Sequence, residues 1–380
     1  MKIAIVSDAI YPFTIGGSEI RNYEVARRLV KMGHEVHIYG AKLWEGKDNI
    51  LLDGIKVHGV HKIDKLYNKN GKRKVEDYAF LAIKLCNRLR KENFDVIDCV
   101  AFNPFNCLVC KYLSLRDKAH LVLTWHQYFG NYYFGYFGRV KGMIAWILER
   151  VMSKLTSNNL AVSDKTRKDL KGIGLKKNVA VIENGVDVGL IKCIKVKRKK
   201  YDFVFVGRLN YQKNLVLLIK SAQILKNEIK DFKICIVGDG ADKEKLIDLT
   251  RKLGLKENFV FLGQIKDRRK VFEIMKESEV FVLPSYLEGF PLVIVEANAC
   301  GLPLIITNHK WNGAKSYIKN MQNGLVVECN ENDFAQAMNK LISDGKMRDR
   351  LSASGVNMSK GYDWDLISKK VEEYYQMCLF

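Results

Sequence analysis

Residues 279–307 read EVFVLPSYLEGFPLVIVEANACGLPLIIT. The segment Glu279–Ser285 carries a short apolar run, a loop follows, a helical stretch opens at Pro291, and Leu302–Thr307 is apolar again. Proline is favoured at a first helical position and glycine just past the last one, so Pro291 and Gly301 bracket a helix. Strand, helix and strand in this order make a βαβ unit, and short strands without polar alternation belong to a parallel sheet covered on both faces. The same pattern extends upstream through Tyr201–Gly207, a helix near 214–227, Lys233–Gly238, a helix near 242–253 and Phe259–Gly263. A second series opens the chain with IAIVSD (Ile3–Asp8), a glycine-bearing loop (Thr14–Gly17), a helix over Ser18–Met32 stopped by Gly33, and EVHIYG (Glu35–Gly40). Apolar segments at Val96–Cys99, His120–Thr124 and Leu160–Val162 continue it. The fold class is α/β with two parallel-sheet domains. Their boundary falls between Asn184 and Tyr201, where KCIKVKRKK (Lys192–Lys200) shows no buried-element signature and reads as a linker.

The length of 380 residues suits two or three domains, each large enough for a full core. With 48% hydrophobic residues, 28% charged and 5 prolines, the composition excludes a disordered or collagen-like chain. No 18-residue apolar window predicts a spanning helix, and MKIAIVSDAI reads as a first buried strand, its apolar run being too short for a signal-peptide core. Nine scattered cysteines fit a reduced, cytoplasmic protein. Lys plus Arg number 63 against 42 Asp plus Glu, a net charge of +21. Such an excess favours anionic partners, whether nucleic acid, an acidic membrane surface or phosphorylated ligands, and a lysine-rich genome produces the same bias.

The helix start near Leu292 and Val293 leaves backbone N–H groups free and adds the positive end of the helix dipole, which makes a phosphate site. Glu288 lies just before this helix and Glu296 about 7.5 Å further along it, at 1.5 Å per residue. Carboxylates so placed suit sugar hydroxyls on either side of a diphosphate. Arg208 and Lys213 follow the strand ending at Gly207, at the carboxyl edge where open α/β sheets bind ligands. Arginine offers phosphate a planar fork and lysine a point charge, so the pair reads as a diphosphate clamp.

These residues together resemble the glycosyltransferases of family 4. Glu288 and Glu296 match the family's E-x7-E pattern, and Gly207, Arg208 and Lys213 its G-R-x-x-x-x-K element. Tyr11-Pro12 with Gly16-Gly17-Ser18-Glu19 is similar to its N-terminal glycine loop, and Ala161–Asp164 and Asn184–Asp187 to its interdomain signposts. The resemblance spans essentially the whole chain. It implies the GT-B fold, two Rossmann-like domains with parallel sheets facing across a cleft. An acceptor-side domain would cover 1–190 and a donor-binding domain 191–363, with a helix near 364–380 returning to the first. It implies a retaining, metal-independent hexosyltransferase without cofactor, moving a hexose from a UDP- or GDP-sugar to a glycan or lipid-linked acceptor. The implied catalytic set is Arg208, Lys213, Glu288 and His126; the implied donor-binding set is Gly16, Gly17, Gly207, Phe290, Leu292, Val293 and Glu296. Arg208 and Lys213 would neutralise the diphosphate, Glu288 would hold the transferred sugar, Glu296 the ribose, and His126 would hydrogen-bond near the donor sugar. The chain departs from the family's G-G-x-x-E turn, with Ser316 standing where the glutamate is expected.

Other motifs read as structural. Asp363-Trp364-Asp365 precedes an amphipathic stretch and suits a helix cap better than a metal. Cys107-x-x-Cys110 lacks a second ligand pair and fits apolar packing. Gly238-Asp239-Gly240 lacks the third glycine of a dinucleotide fingerprint. Seven aromatic residues between Tyr128 and Phe137, the apolar stretch Met143–Met152 and a cluster at Lys62, Lys65, Lys69, Lys72, Arg73 and Lys74 describe either an anionic membrane surface, at the inner face of the plasma membrane, or an aromatic acceptor pocket. An epimerase of the same architecture is the alternative enzyme. A nucleic-acid-binding protein is the alternative from another class, disfavoured because carboxylates repel a phosphate backbone.

Overall fold

The computed structural model describes residues 1–63, 75–175 and 179–379. The chain divides into two compact units, one holding the described residues up to Asn184 together with those from Trp364 onward, the other holding Gly185–Asp363. The lysines and arginine at 65, 69, 72, 73 and 74 lie outside the described residues.

The first unit is built on strands β1 (Lys2–Val6), β2 (Glu35–Lys42), β3 (Asn49–Leu52), β4 (Ile55–Lys62), β5 (Val96–Val100), β6 (His120–Trp125), β7 (Asn158–Ala161) and β8 (Val179–Val181). They pair in the order β3-β4-β2-β1-β5-β6-β7-β8, parallel except for the β3–β4 hairpin. β1 needs no polar alternation because helices cover both sheet faces, and Ile3, Ala4, Ile5 and Val6 are each buried. The helix Gly17–Lys31 follows β1, and the C-terminal helix Trp364–Leu379 packs against it. Arg28 reaches Asp365 and Glu24, while His34 Nε2 meets Glu372 Oε1 at 2.7 Å. Asp363 accepts the Val188 N–H at 3.3 Å, so both carboxylates of the Asp-Trp-Asp triplet have partners within the protein. Cys99 and Cys107 sulfurs lie 3.8 Å apart in the core, and Cys110 is fully buried.

The second unit carries β9 (Tyr201–Val206), β10 (Ile234–Val237), β11 (Phe259–Gly263), β12 (Ser278–Leu283), the short β13 (Leu287–Glu288), β14 (Leu304–Thr307), the short β15 (Trp311–Asn312) and β16 (Gly324–Val327). Its main sheet is parallel, in the order β11-β10-β9-β12-β14-β16. Two sequence expectations shift here. Pro291 is the residue before the helix, which spans Leu292–Ala299, and its ψ of 119° is extended. The stretch from Lys192 is not all linker, because Val188–Cys193 forms a helix capped by Asp187, and Ile191 and Ile194 are buried. Two apolar residues three apart give a single turn its buried face, a signal too short to stand out among lysines. Gly301 stops its helix as expected: at φ +84° its N–H meets the Asn298 carbonyl and the Leu302 N–H that of Ala297, closing a Schellman turn. Among the described residues no helix is long and apolar enough to cross a membrane.

Candidate functional site

In the second unit the chain leaves β9 toward β10 and β11 on one side, while β12, β14 and β16 lie on the other. The switch point therefore falls between β9 and β12, and the loops after their carboxyl ends line the crevice where such sheets take ligands. After β9, Gly207 and Arg208 lead into a 3-10 turn, Tyr211–Lys213, closed by Asn210, whose side chain and carbonyl both receive the Lys213 N–H, at 3.3 and 3.0 Å. After β12 comes β13, held beside β15. The two loops are stitched by the Tyr286 N–H to the Gln212 carbonyl at 2.9 Å. Between them Lys213 Nζ meets Glu288 Oε1 at 2.6 Å, with side chains only 18% and 8% exposed. Arg208 sits exposed on the same loop.

Close backbone approach explains the glycines around this pair. A side chain on Gly240 would drive into the Leu209 backbone, and one on Gly238 (φ +143°) into that of Gly207, so the Gly238–Gly240 loop lies flush on the Arg208 loop. On the other flank, a side chain on Gly313 would strike the Gly289 carbonyl. Asn312 Nδ2 ties the Ser285 and Thr307 carbonyls at 3.3 and 3.1 Å, and Ser316 Oγ bonds the Gly313 carbonyl at 2.7 Å. The turn that lacks the family's glutamate is thus closed by a hydroxyl.

The helix Leu292–Ala299 starts with no side-chain cap, leaving its first turn open to an anion. Phe290, just before it, is buried against Tyr317 and Tyr362. Glu296 is buried at 2% and pairs with Arg268 of the helix Arg268–Lys276. Arg268 and Asn210 escaped the sequence reading. The first is 28 residues from its partner, beyond any local spacing, whereas an asparagine three residues before Lys213 is a turn signal that a closer reading would have found.

In the first unit, Gly16 precedes the helix Gly17–Lys31 in an extended conformation that any residue adopts (φ −157°), and a side chain there would crowd the Glu19 carboxylate. His126 follows β6. Its Nε2 is enclosed, and among the described residues has no hydrogen-bond partner. Burial, and behind it the Arg21 guanidinium, lowers His126 to about 3, so the ring is neutral. Arg21 is itself buried and holds the Glu183 carbonyl and, at 3.3 Å, the Asn184 side chain. The loop after His126 is fixed by Glu149, whose carboxylate takes the Phe129 and Gly130 N–H groups at 2.8 Å each. Burial lifts Glu149 to about 7.

The aromatic segment turns partly inward. Tyr132 is buried, Phe129 stacks on Tyr133 at 5.0 Å and Tyr133 on Phe137 at 6.0 Å, and of the segment's described aromatic rings Phe137 is the most open, at 38%. The exposed apolar surface lies instead on the following helix, Arg139–Ser153, where Val140, Met143, Ile144, Ile147 and Val151 form an outward stripe. Neighbouring helices add Phe80 and Ile83, and Leu108, Tyr112 and Leu115.

Residues 15–190 match the family profile described as Glycosyltransferase Family 4, and residues 191–358 that described as Glycosyl transferases group 1. An uncharacterized glycosyltransferase of Haemophilus influenzae is 25% identical over 365 residues, 94% of this chain and 95% of that one. UDP-Gal:alpha-D-GlcNAc-diphosphoundecaprenol alpha-1,3-galactosyltransferase of Escherichia coli is 35% identical over 181 residues, which is 44% of this chain and 46% of that enzyme. Among solved structures, sucrose-phosphate synthase from Thermosynechococcus elongatus superposes with a TM-score of 0.84 at 18% identity, covering 99% of this chain and 98% of that one.

Proposed function

We propose that this chain, which belongs to glycosyltransferase family 4 and has the GT-B fold, moves a hexose with retention from a nucleoside diphosphate sugar to a hydroxyl of a lipid-linked acceptor in cell-surface glycan synthesis. The observation that carries the reading is the Lys213–Glu288 pair, enclosed at the switch point beside an uncapped helix start. The Escherichia coli relative, whose name gives a UDP-galactose donor and a diphosphoundecaprenol acceptor, supports the substrate class.

In this mechanism Arg208, Lys213 and the N–H groups of Leu292 and Val293 hold the diphosphate and take up the charge that grows on it as the sugar–oxygen bond breaks. The acceptor hydroxyl attacks the anomeric carbon on the face the diphosphate leaves, and its proton passes to a diphosphate oxygen. Glu288 orients sugar hydroxyls, Glu296 accepts from the ribose, and Gly207 lets the backbone close on the phosphates, as Gly16 and Gly17 do from the glycine loop. Neutral His126 offers a hydrogen bond to the sugar without acting as nucleophile. No metal or cofactor enters the scheme. The outward stripe on Arg139–Ser153, flanked by Arg139, Lys141 and Lys154, seats the first unit on an anionic lipid surface where such acceptors reside. The deciding assay offers UDP- and GDP-hexoses, radiolabelled in the sugar, with an undecaprenyl-diphosphate sugar acceptor. Label should enter the lipid phase as an axially linked product when the donor is axial. Label that stays on the free nucleotide with altered stereochemistry would make the protein an epimerase.

A further inference from the structure

Toward the amino-terminal end of the first unit's strands, away from the edge that carries Gly16 and His126, two imidazoles meet. His37 on β2 is fully buried, and its Nδ1 lies 3.0 Å from Nε2 of His58 on β4. The ring planes differ by only 16° with centroids 5.0 Å apart, so the two nitrogens face each other edge to edge. The outer nitrogens decide what the inner ones carry. His37 Nε2 is 2.9 Å from Glu35 Oε1, and an ionised carboxylate only accepts, so the proton is on Nε2 and a lone pair on Nδ1. His58 Nδ1 is 3.1 Å from the Asn49 Oδ1, also an acceptor, which leaves a lone pair on Nε2. Two lone pairs thus point into one gap. A carboxylate borders the same gap, Glu92 Oε2 at 3.7 Å from His37 Nδ1, and the three donor atoms lie within 4.8 Å of one another.

We propose that His37 Nδ1, His58 Nε2 and Glu92 Oε2 bind a zinc ion, with water as fourth ligand. Bonds of about 2.0–2.1 Å in a tetrahedron give donor–donor edges of about 3.3 Å; the two edges at His37, 3.0 and 3.7 Å, bracket that value, and the third lies within 4.8 Å. Glu35 and Asn49 fill the outer shell, each orienting a ligand imidazole through its other nitrogen, the arrangement that ligating histidines usually have. Lys2 Nζ lies 2.6 Å from the same Glu92 Oε2, and the oxygen's second lone pair is the one left for the ion. The ion would clip β2, β4 and the loop before β5 together. Its role is structural, and it is independent of the donor site.

The test uses the full chain stripped with a chelator and titrated calorimetrically with zinc alone, with cobalt(II) as spectroscopic probe. Wild type should bind one equivalent, gain thermal stability by mass action, and give the visible bands of four-coordinate cobalt. His58→Ala, a half-buried position that should fold, should abolish all three. Glu35→Gln should weaken binding about 10–100-fold, and His120→Ala should bind like wild type. The proposal is overturned if stripped, natively folded wild type takes up no zinc, or if His58→Ala binds it equally well. It is overturned too if imidazole nitrogen NMR shows a single shared proton between the rings that zinc does not displace.

Discussion

Lys213→Ala separates two jobs that the proposed mechanism assigns to one ammonium. In the folded protein Lys213 balances Glu288 at 2.6 Å, and Glu288 is 8% exposed. Removing one partner of a buried pair costs about 3–5 kcal/mol because the other charge is left without compensation. Water reaches Lys213, at 18% exposure, so a smaller cost, roughly 2–3 kcal/mol, is expected here. The second job, under the proposed mechanism, is electrostatic stabilisation of the departing diphosphate, worth about 2–4 kcal/mol, a roughly 30- to 1000-fold fall in kcat. Adding Glu288→Gln to Lys213→Ala removes the orphaned charge and should restore most of the folding stability while leaving transfer at least as slow as in Lys213→Ala. Urea unfolding reads the first quantity and initial rates with labelled donor the second. Recovery of transfer in the double variant would show that Lys213 serves Glu288 and not the diphosphate; near-wild-type transfer by Lys213→Ala would reject the clamp altogether.

Glu296→Gln should weaken nucleoside diphosphate binding, while Glu288→Gln should spare it and slow sugar transfer; equal calorimetric losses would show that the two roles are not separable. Replacing Val140, Ile144 and Ile147 by serine should remove the salt-resistant part of sedimentation with anionic vesicles, and Tyr133→Ser should not, since that ring stacks within the protein; no sedimentation of wild type at low salt would end the membrane reading. Glu149 is protonated more readily folded than unfolded, its value rising from 4.5 to about 7, so the stability it contributes is full below about pH 4.5 and falls as pH rises toward 7, by roughly 3 kcal/mol at most. Urea midpoints at pH 5 and pH 8 should differ less in Glu149→Gln than in wild type, and an unchanged difference would contradict the assignment.

The parallel sheets were legible because strands buried on both faces write unbroken apolar runs, and Gly301 because a left-handed stop has few other residues to use. Lys213 and Glu288 were legible as types at the ends of strands, though 75 residues apart. What escaped was pairing and direction. Arg268 comes from another helix to meet Glu296, and the zinc ligands come from three segments, with no spacing in the chain to announce them. The run Tyr128–Phe137 read as either a membrane surface or an acceptor pocket because composition counts rings without saying where they point; stacking turns several inward. The helix Arg139–Ser153 has the reverse problem. Its apolar period is ordinary, and only the fold reveals that the buried side is the one with Gly142 and Glu149.

The two glutamates pose a question that the paired geometry answers. Carboxylates flanking a phosphate site should repel a diphosphate, yet the proposed mechanism needs both of them, one for the sugar and one for the ribose. Each is matched to its own cation, Glu288 to Lys213 and Glu296 to Arg268, so neither presents a bare charge. The open N–H groups at Leu292 and Val293 then set the sign of the local field in favour of an anion. Because Lys213 is held by its nitrogen while its 3-10 turn is fixed by Asn210, it needs little reorganisation to share itself between Glu288 and an incoming phosphate oxygen. A lysine free in solvent would lose that advantage to side-chain entropy. In the proposed mechanism, neutral pairing in the resting protein is what would let one sheet edge hold hydroxyls and phosphates side by side.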